Sequence, residues 1–203
     1  TLTITVTNAN EAPDITSNSG GSTASISHNE NISTVTTVTS TDDDASSTAT
    51  YSISGTDVDD FTIDSSTGIL TFSSSPNFEL PTDSNNDNVY TVIVAVTDNT
   101  LLTDTQTLTI TVPDANEAPD ITSNSGGSTA SISYAENATS TVTTVTSTDA
   151  DAGASTTYTI SGGADSGDFA ISSGVLTFAS TPDFESPADD DTNNEYIVIV
   201  QVS

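Results

Sequence analysis

Acidic residues recur at matched places in this 203-residue sequence. A Glu-Asn pair stands at Glu30-Asn31 and again at Glu136-Asn137. A T-D-x-D-A run carries Asp42 and Asp44, then Asp149 and Asp151, and Phe78-Glu79 and Phe184-Glu185 are each flanked by prolines. A junction of the form D/N-A-N-E-A-P spans Asn8 to Pro13 and Asp114 to Pro119, and Asp98 lies just past a strand-like run. Hard divalent cations take six to eight oxygens from carboxylates, amide carbonyls and backbone. Asp-x-Asp in an extended chain aims both carboxylates the same way, and an Asp-, Asn- and Glu-rich junction adds more oxygens. The chemistry these residues can do is cation binding.

The charge balance narrows the partners. The chain has 29 acidic residues, no Lys or Arg and one His, a formal charge of −29. Without basic side chains it cannot neutralise phosphates, so nucleic acid and anionic membrane surfaces are excluded as partners. There is no lysine nucleophile, no arginine clamp and no Cys, hence no thiol chemistry and no disulfide. Like charges at this density need counter-ions. Low hydrophobicity with high charge is a disorder signal, but the 33% apolar residues alternate regularly enough to build thin β cores.

Other acidic groups read differently. Asp149-Ala-Asp151-Ala-Gly153 is no EF-hand, because the third oxygen ligand, the Gly at the sixth place and the Glu at the twelfth are missing. The glycine-rich calcium nonapeptide is absent too. Asp189 to Asp191 with Asn193 and Asn194, and likewise Asp83 to Asn88, read as solvated loops. His28, unmatched in the second copy, where Tyr134 stands instead, reads as surface. Asp59 and Asp60 could pair for glycoside hydrolysis, but with no Trp and few aromatics to stack sugars the chain is expected not to be an enzyme. Asn31-Ile32-Ser33 and Asn137-Ala138-Thr139 match the N-glycosylation pattern, at a frequency that chance in a Ser/Thr-rich chain also supplies.

The elements that position the acids follow from repetition. EAPDITSNSGGSTASIS occurs at 11–27 and again at 117–133. After one-residue slips, Tyr51, Phe72, Phe78 and Tyr90 match Tyr158, Phe178, Phe184 and Tyr196. A period of this length is a whole domain, near the size of a seven-stranded sandwich, rather than a solenoid unit. Within it the runs alternate in period two: Val35 and Val38, Tyr51 and Ile53, Phe61 and Ile63, Ile69 to Phe72, Tyr90 to Val96, and Leu108, Ile110 and Val112. Thr67-Gly68 marks a turn. Ser and Thr supply 72 residues, and Thr, Val and Ile favour strands. The expected fold is all-β, with tandem seven-stranded Greek-key sandwiches. The expected divisions are 1–7, a last strand of a preceding repeat or a donor strand; 8–112, the first repeat with its linker; and 113–203, a linker and second repeat lacking its final strand. No run of 18 apolar residues offers a membrane span. A start at Thr1 with no signal-peptide pattern suggests a mature fragment or an excised segment.

Residues 1–6, TLTITV, are identical to 107–112. Either the 203 residues are a window of a longer tandem protein, or Leu2, Ile4 and Val6 of one subunit fill the groove of another by strand addition. Both predict a linear head-to-tail rod, since an open heterologous contact propagates.

Taken in order, these motifs resemble bacterial cadherin-like repeats over essentially the whole chain. In that family calcium sits between successive sandwiches. It is held by a Glu near the start of a repeat, a D-x-E motif, a D-x-N-D-N-x-P linker and a D-x-D in the next repeat, with a lone Asp after the penultimate strand. The resemblance implies a central Ca2+ junction of Glu30, Glu79, Asp114, Asn116, Glu117, Asp149 and Asp151. It implies an N-terminal junction of Asn10, Glu11, Asp42, Asp44 and Asp98, and a C-terminal set of Glu136, Asp183 and Glu185. Glu117 stands where the family has Asp, Ala118 replaces its Asn, the first D-x-E is Asn77-Phe78-Glu79, and Asn8 replaces the leading linker Asp. Two charges about 5 Å apart at an effective dielectric near 20 repel by about 3 kcal/mol, so six carboxylates at one junction require cations.

The expected function is a calcium-binding structural repeat of an extracellular surface fibre or adhesin, cell-surface or secreted, stiffened end to end, with a cell-adhesion or biofilm role. A self-polymerising filament subunit and a glycan- or protein-binding adhesive module are the alternatives. The adhesion target is not encoded in any motif.

Overall fold

Thr, Val and Ile alternate along the extended runs, so each strand carries one face that must be covered and one that tolerates water. The computed structural model describes residues 1–44 and 47–203. Ala45, the last residue of the first T-D-x-D-A run, lies outside them. The chain folds as two units, Thr1–Ala115 and Asn116–Ser203.

The first unit contains β1 (Asp14–Ile15), β2 (Thr23–Ser27), β3 (Thr34–Thr37), β4 (Ser40–Thr41), β5 (Thr50–Ser54), β6 (Phe61–Ile63), β7 (Ile69–Phe72), β8 (Val89–Thr97) and β9 (Thr103–Thr111). One sheet has the order β2-β9-β8-β5, a second β3-β7-β6, and β1 pairs with β4. All pairings are antiparallel except β2 with β9, which run parallel in the register Thr23 to Thr107 through Ser27 to Thr111. The long hairpin β8-β9 alternates most cleanly: Tyr90, Val92, Val94, Val96, Leu108 and Ile110 are buried while their neighbours are not. They meet Ile15, Val38, Leu70, Phe61 and Phe72 in one core. Phe72 stands edge-on to Tyr90 at 5.0 Å and tilted against Phe61 at 4.5 Å, arrangements that the ring quadrupoles favour.

The second unit repeats this pattern with fewer strands. It has β10 (Asp120–Ile121), β11 (Thr143–Thr144), β12 (Ser147–Thr148), β13 (Tyr158–Gly162), β14 (Phe169–Ser172), β15 (Val175–Phe178) and β16 (Ile199–Val202). Sheets run β11-β15-β14, β13-β16 and β10-β12. The aromatic trio recurs, with Phe178 edge-on to Tyr196 at 5.0 Å and tilted against Phe169 at 4.6 Å. Residues 129–133 have the sequence of β2 yet form no strand and are exposed. In the first unit β2 is held by β9, and residues 116–203 contain no counterpart of β9. Ile132 and Ile199 are exposed, where their equivalents in the first unit, Ile26 and Ile93, are half-buried.

Candidate metal centre

Glu30 organises one end of the first unit. It follows β2 and is only 4% exposed. Its Oε1 accepts the Ala115 amide at 2.8 Å and its Oε2 the Phe78 amide at 3.0 Å. One carboxylate thus holds both the segment after β9 and the turn that carries Glu79. The turn is fixed independently: Asn88 Nδ2 donates to the Phe78 carbonyl at 2.9 Å, and the Leu80 amide donates to Asn77 Oδ1 at 2.8 Å. Carboxylate oxygens of Glu30, Glu79 and Asp114 consequently lie within 4.8 Å of one another. Both oxygens of Glu79 are buried and accept no hydrogen bond, which is costly for an ionised group unless a charge compensates it. The chain has no Lys or Arg to do so. Three hard oxygen donors with an orphaned buried carboxylate fit a calcium-like ion.

The opposite end of the first unit gathers the residues expected at the N-terminal junction. Asn10 Nδ2 donates to Asp98 Oδ2 at 2.7 Å and the Glu11 amide to Asp44 Oδ2 at 2.8 Å. The Asp44 amide donates to Asp42 Oδ1 at 2.8 Å, as the Asp-x-Asp spacing allows, and Ser47 Oγ donates to Asp42 Oδ2 at 2.6 Å. Asn8, which stands where the family has Asp, donates its side-chain amide to Asp44. Burial pushes the Asp98 carboxyl up, but bonds from the Asn10 side chain, the Leu102 amide and Thr100 outweigh it and hold it below the usual aspartate range. Here amide donors occupy several of the carboxylate oxygens that an ion would use.

In the second unit Glu136 repeats the role of Glu30, with Oε2 accepting the Phe184 amide at 3.0 Å. Carboxylate oxygens of Glu136, Asp183 and Glu185 lie within 4.8 Å of one another, on exposed residues. Near the start of this unit the Glu117 amide donates to Asp151 Oδ2 at 2.9 Å, the Asp151 amide to Asp149 Oδ1 at 3.0 Å, and Asn116 Nδ2 to the Glu117 carbonyl at 2.8 Å. These repeat the contacts of Glu11, Asp44 and Asp42, and the bond from Asn10 Nδ2 to the Glu11 carbonyl at 2.8 Å.

Two expectations change. His28 is not a surface residue: it is 7% exposed, its Nε2 bonds the Ile32 carbonyl at 2.7 Å, and its ring lies 5.4 Å from that of Phe72. Asp83 and Asp189, read as solvated, are 2% and 3% exposed. Their carboxylates are turned inward to accept the amides of their own loops. Counting acids could not separate them from solvated neighbours such as Asp87, because burial here depends on where the loop folds back.

Among the described residues no helix is long and apolar enough to cross a membrane. No curated protein sequence matches the chain. Among solved structures, Drosophila N-cadherin EC1-4 is similar at 23% identity with a TM-score of 0.48, over 95% of this chain and 45% of that one. Human protocadherin-24 EC1-2 is similar at 18% identity and TM-score 0.49, over 96% of this chain and 94% of that one. Mouse cadherin-23 EC22-24 is similar at 19% identity and TM-score 0.48, over 96% and 66%. The chain thus spans about half the length of the N-cadherin fragment. The family model for the cadherin domain matches residues 22–113, the stretch that holds β2 to β9. Over residues 22–113 the chain is thus similar to the cadherin domain, whose family is a non-enzymatic, adhesion-type fold.

Proposed function

We propose that this chain is a calcium-binding structural part of an extracellular surface fibre or adhesin, built of tandem cadherin-like sandwiches that join head to tail. The observation that carries this reading is the cluster of Glu30, Glu79 and Asp114 in a chain with no Lys or Arg. Calcium held at the carboxylate-rich ends neutralises the acids and fixes the segments that bear them. The affinity expected of extracellular modules is about 10⁻⁴–10⁻³ M, so external calcium would stiffen the protein. The experiment is a thermal melt in millimolar calcium and again in excess chelator. A higher Tm in calcium, reversed by chelator, is expected, because an ion bound only by the folded state stabilises it by mass action. Identical melts would leave a cadherin-like fold without the calcium mechanism.

A second reading is favoured by residues 1–6. Leu2, Ile4 and Val6 are 87%, 78% and 92% exposed, while the same sequence at 107–112 buries Leu108, Ile110 and Val112 almost completely. The second unit leaves 129–133 unpaired. In this reading residues 1–6 of one copy add to the second unit of another. Burying three aliphatic side chains contributes roughly 5–9 kcal/mol before ordering costs. Light scattering of the chain with and without residues 1–6 tests it, and assemblies that persist after the deletion would dismiss it.

A further inference from the structure

The loops that precede β8 and β16 are built alike and share no carboxylate with the clusters described above, although Asn88 and Asn194 each bond the turn beside Glu79 or Glu185. Asp83, Asn85 and Asp87 stand at positions one, three and five of the first, and Asp189, Asp191 and Asn193 at the same positions of the second. In each, the leading carboxylate accepts amides from positions five and six. Asp83 takes those of Asp87 at 2.9 Å and Asn88 at 3.1 Å; Asp189 takes those of Asn193 at 2.7 Å and Asn194 at 3.3 Å. The fourth and sixth residues are left-handed: Asn86 and Asn88 at φ 59° and 63°, Thr192 and Asn194 at 58° and 67°. This winds the chain about the leading Asp. Alternate oxygen ligands at positions one, three and five with a sharp turn at six are how a calcium loop is laid out.

The second loop carries an independent sign of a missing ligand. Asp189 is 3% exposed, and its Oδ1 is buried with no hydrogen-bond partner. The Asp191 carboxyl lies against that of Asp189. Two carboxyls in contact, one with an orphaned buried oxygen, need a cation or a proton between them. Surrounding donors do not supply it. Asp165, the other buried acid here, already accepts the Asp190 and Ile197 amides, both at 2.7 Å, and so ties the loop to the segment that leads into β16. Asn193 Nδ2 donates to Asp191 Oδ2 at 2.7 Å, drawing the third and fifth positions together.

We propose that the loop 189–195 is a divalent-cation site of its own, with Asp189, Asp191 and Asn193 as side-chain oxygen ligands and calcium as the ion. It does not depend on the carboxylate clusters at the unit ends. An all-oxygen donor set selects a hard ion, and three side-chain positions leave places for backbone carbonyls and water. The twelfth-position carboxylate of an EF-hand is absent, so affinity is weak and suited to an extracellular ion concentration. In the first loop the third and fifth positions carry Asn85 and Asp87, the reverse order of acid and amide. There Asp83 has a bonded partner on each oxygen, and the assignment is confined to the second loop.

The test is a calcium titration of the metal-free 203-residue chain, followed by backbone amide NMR at physiological ionic strength to screen diffuse binding. The amides of Asn193 and Asn194, which bond Asp189, report the loop. That of Phe78, which bonds Glu30 and makes no bond to this loop, reports an end cluster, so the two sites succeed or fail separately. Saturable shifts of Asn193 and Asn194 are expected, and Asp191→Asn should weaken them by about tenfold or more while leaving Phe78 unchanged. Loop amides that stay still in calcium while moving with pH in the metal-free chain would show that a proton fills the gap, and would overturn the proposal. So would calcium shifts at Asn193 that survive Asp191→Asn unaltered.

Discussion

Glu30 accepts the backbone amide of Ala115 at 2.8 Å, bridging residues 85 positions apart in the chain. Its second oxygen holds the Phe78 amide, so a single buried carboxylate ties the segment after β9 to the turn bearing Glu79. Each bond to an ionised acceptor contributes about 1.5–3 kcal/mol, and removing the acceptor strands two donors. Glu30→Ala should therefore destabilise the first unit by about 2–4 kcal/mol even in chelator. Glu30→Gln, which keeps one acceptor oxygen, should cost less. Urea denaturation of both variants in chelator measures the difference, and equal losses would mean that packing rather than the bonds dominates.

A change at Glu79 separates architecture from ion binding. Glu79 has no hydrogen bond to lose at its carboxylate, so Glu79→Gln, which removes an uncompensated buried charge beside Glu30 and Asp114, should raise stability in chelator while reducing the gain in Tm on adding calcium. A variant that melts as the parent does in both conditions would remove Glu79 from the ligand set.

Gly68 and Gly174 occupy equivalent turns with φ of 71° and 81°. A Cβ at Gly68 would stand 2.2 Å from the Val38 carbonyl oxygen, and one at Gly174 2.5 Å from that of Val145. Each glycine carbonyl also engages the same neighbour: Val38 donates to that of Gly68 and Val145 to that of Gly174, both at 2.8 Å. Gly68→Ala should cost more than the roughly 1 kcal/mol of an ordinary left-handed substitution, because backbone must move. Calorimetry would show the loss in one unit only, and a neutral substitution would mean that the turn can reopen freely.

Acid should weaken the first unit partly through Asp57. Burial pushes its carboxyl up, but the Thr91 and Ser84 amides outweigh burial and hold it below the usual aspartate range. With the folded value depressed, the unfolded chain takes up the proton first as pH falls. The stabilisation is present above about pH 4 and is lost as pH drops through the folded value. Asp60 works the other way: burial and the neighbouring Asp57, Asp83 and Asp59 charges raise it despite a bond from Thr82. Its protonation in the folded state softens the loss. Unfolding free energies measured in chelator between about pH 5 and pH 3 should fall more steeply for the parent than for Asp57→Asn. Parallel curves would assign the acid response to other carboxyls.

The strands were legible because alternation in a Thr-, Val- and Ile-rich chain has one reading. Tyr51 and Ile53, Phe61 and Ile63, Ile69 to Phe72, and Tyr90 to Val96 fall in β5, β6, β7 and β8. Local pattern alone does not distinguish residues 129–133 from β2. Their sequence is that of β2, but β2 is a strand only because β9 lies beside it, and pairing is not a local property. The parallel sense of that pairing was likewise invisible, since alternation does not encode direction.

The acids divide along the same line. The resemblance to cadherin-like repeats implied that Glu30, Glu79 and Asp114, and Glu136, Asp183 and Glu185, would gather, and in the structure the carboxylate oxygens of each trio lie within 4.8 Å of one another. The sequence also determined that no side-chain cation except His28 could answer them. Tertiary structure decided which acids need an answer: it spent Asp57 and Asp165 on backbone amides, left Glu79 with none, and buried Asp83 and Asp189 in loops whose composition reads as solvent-facing. Burial and hydrogen bonding are set by what folds back over a residue, and in a chain with 29 acidic side chains that distinction is made only in three dimensions.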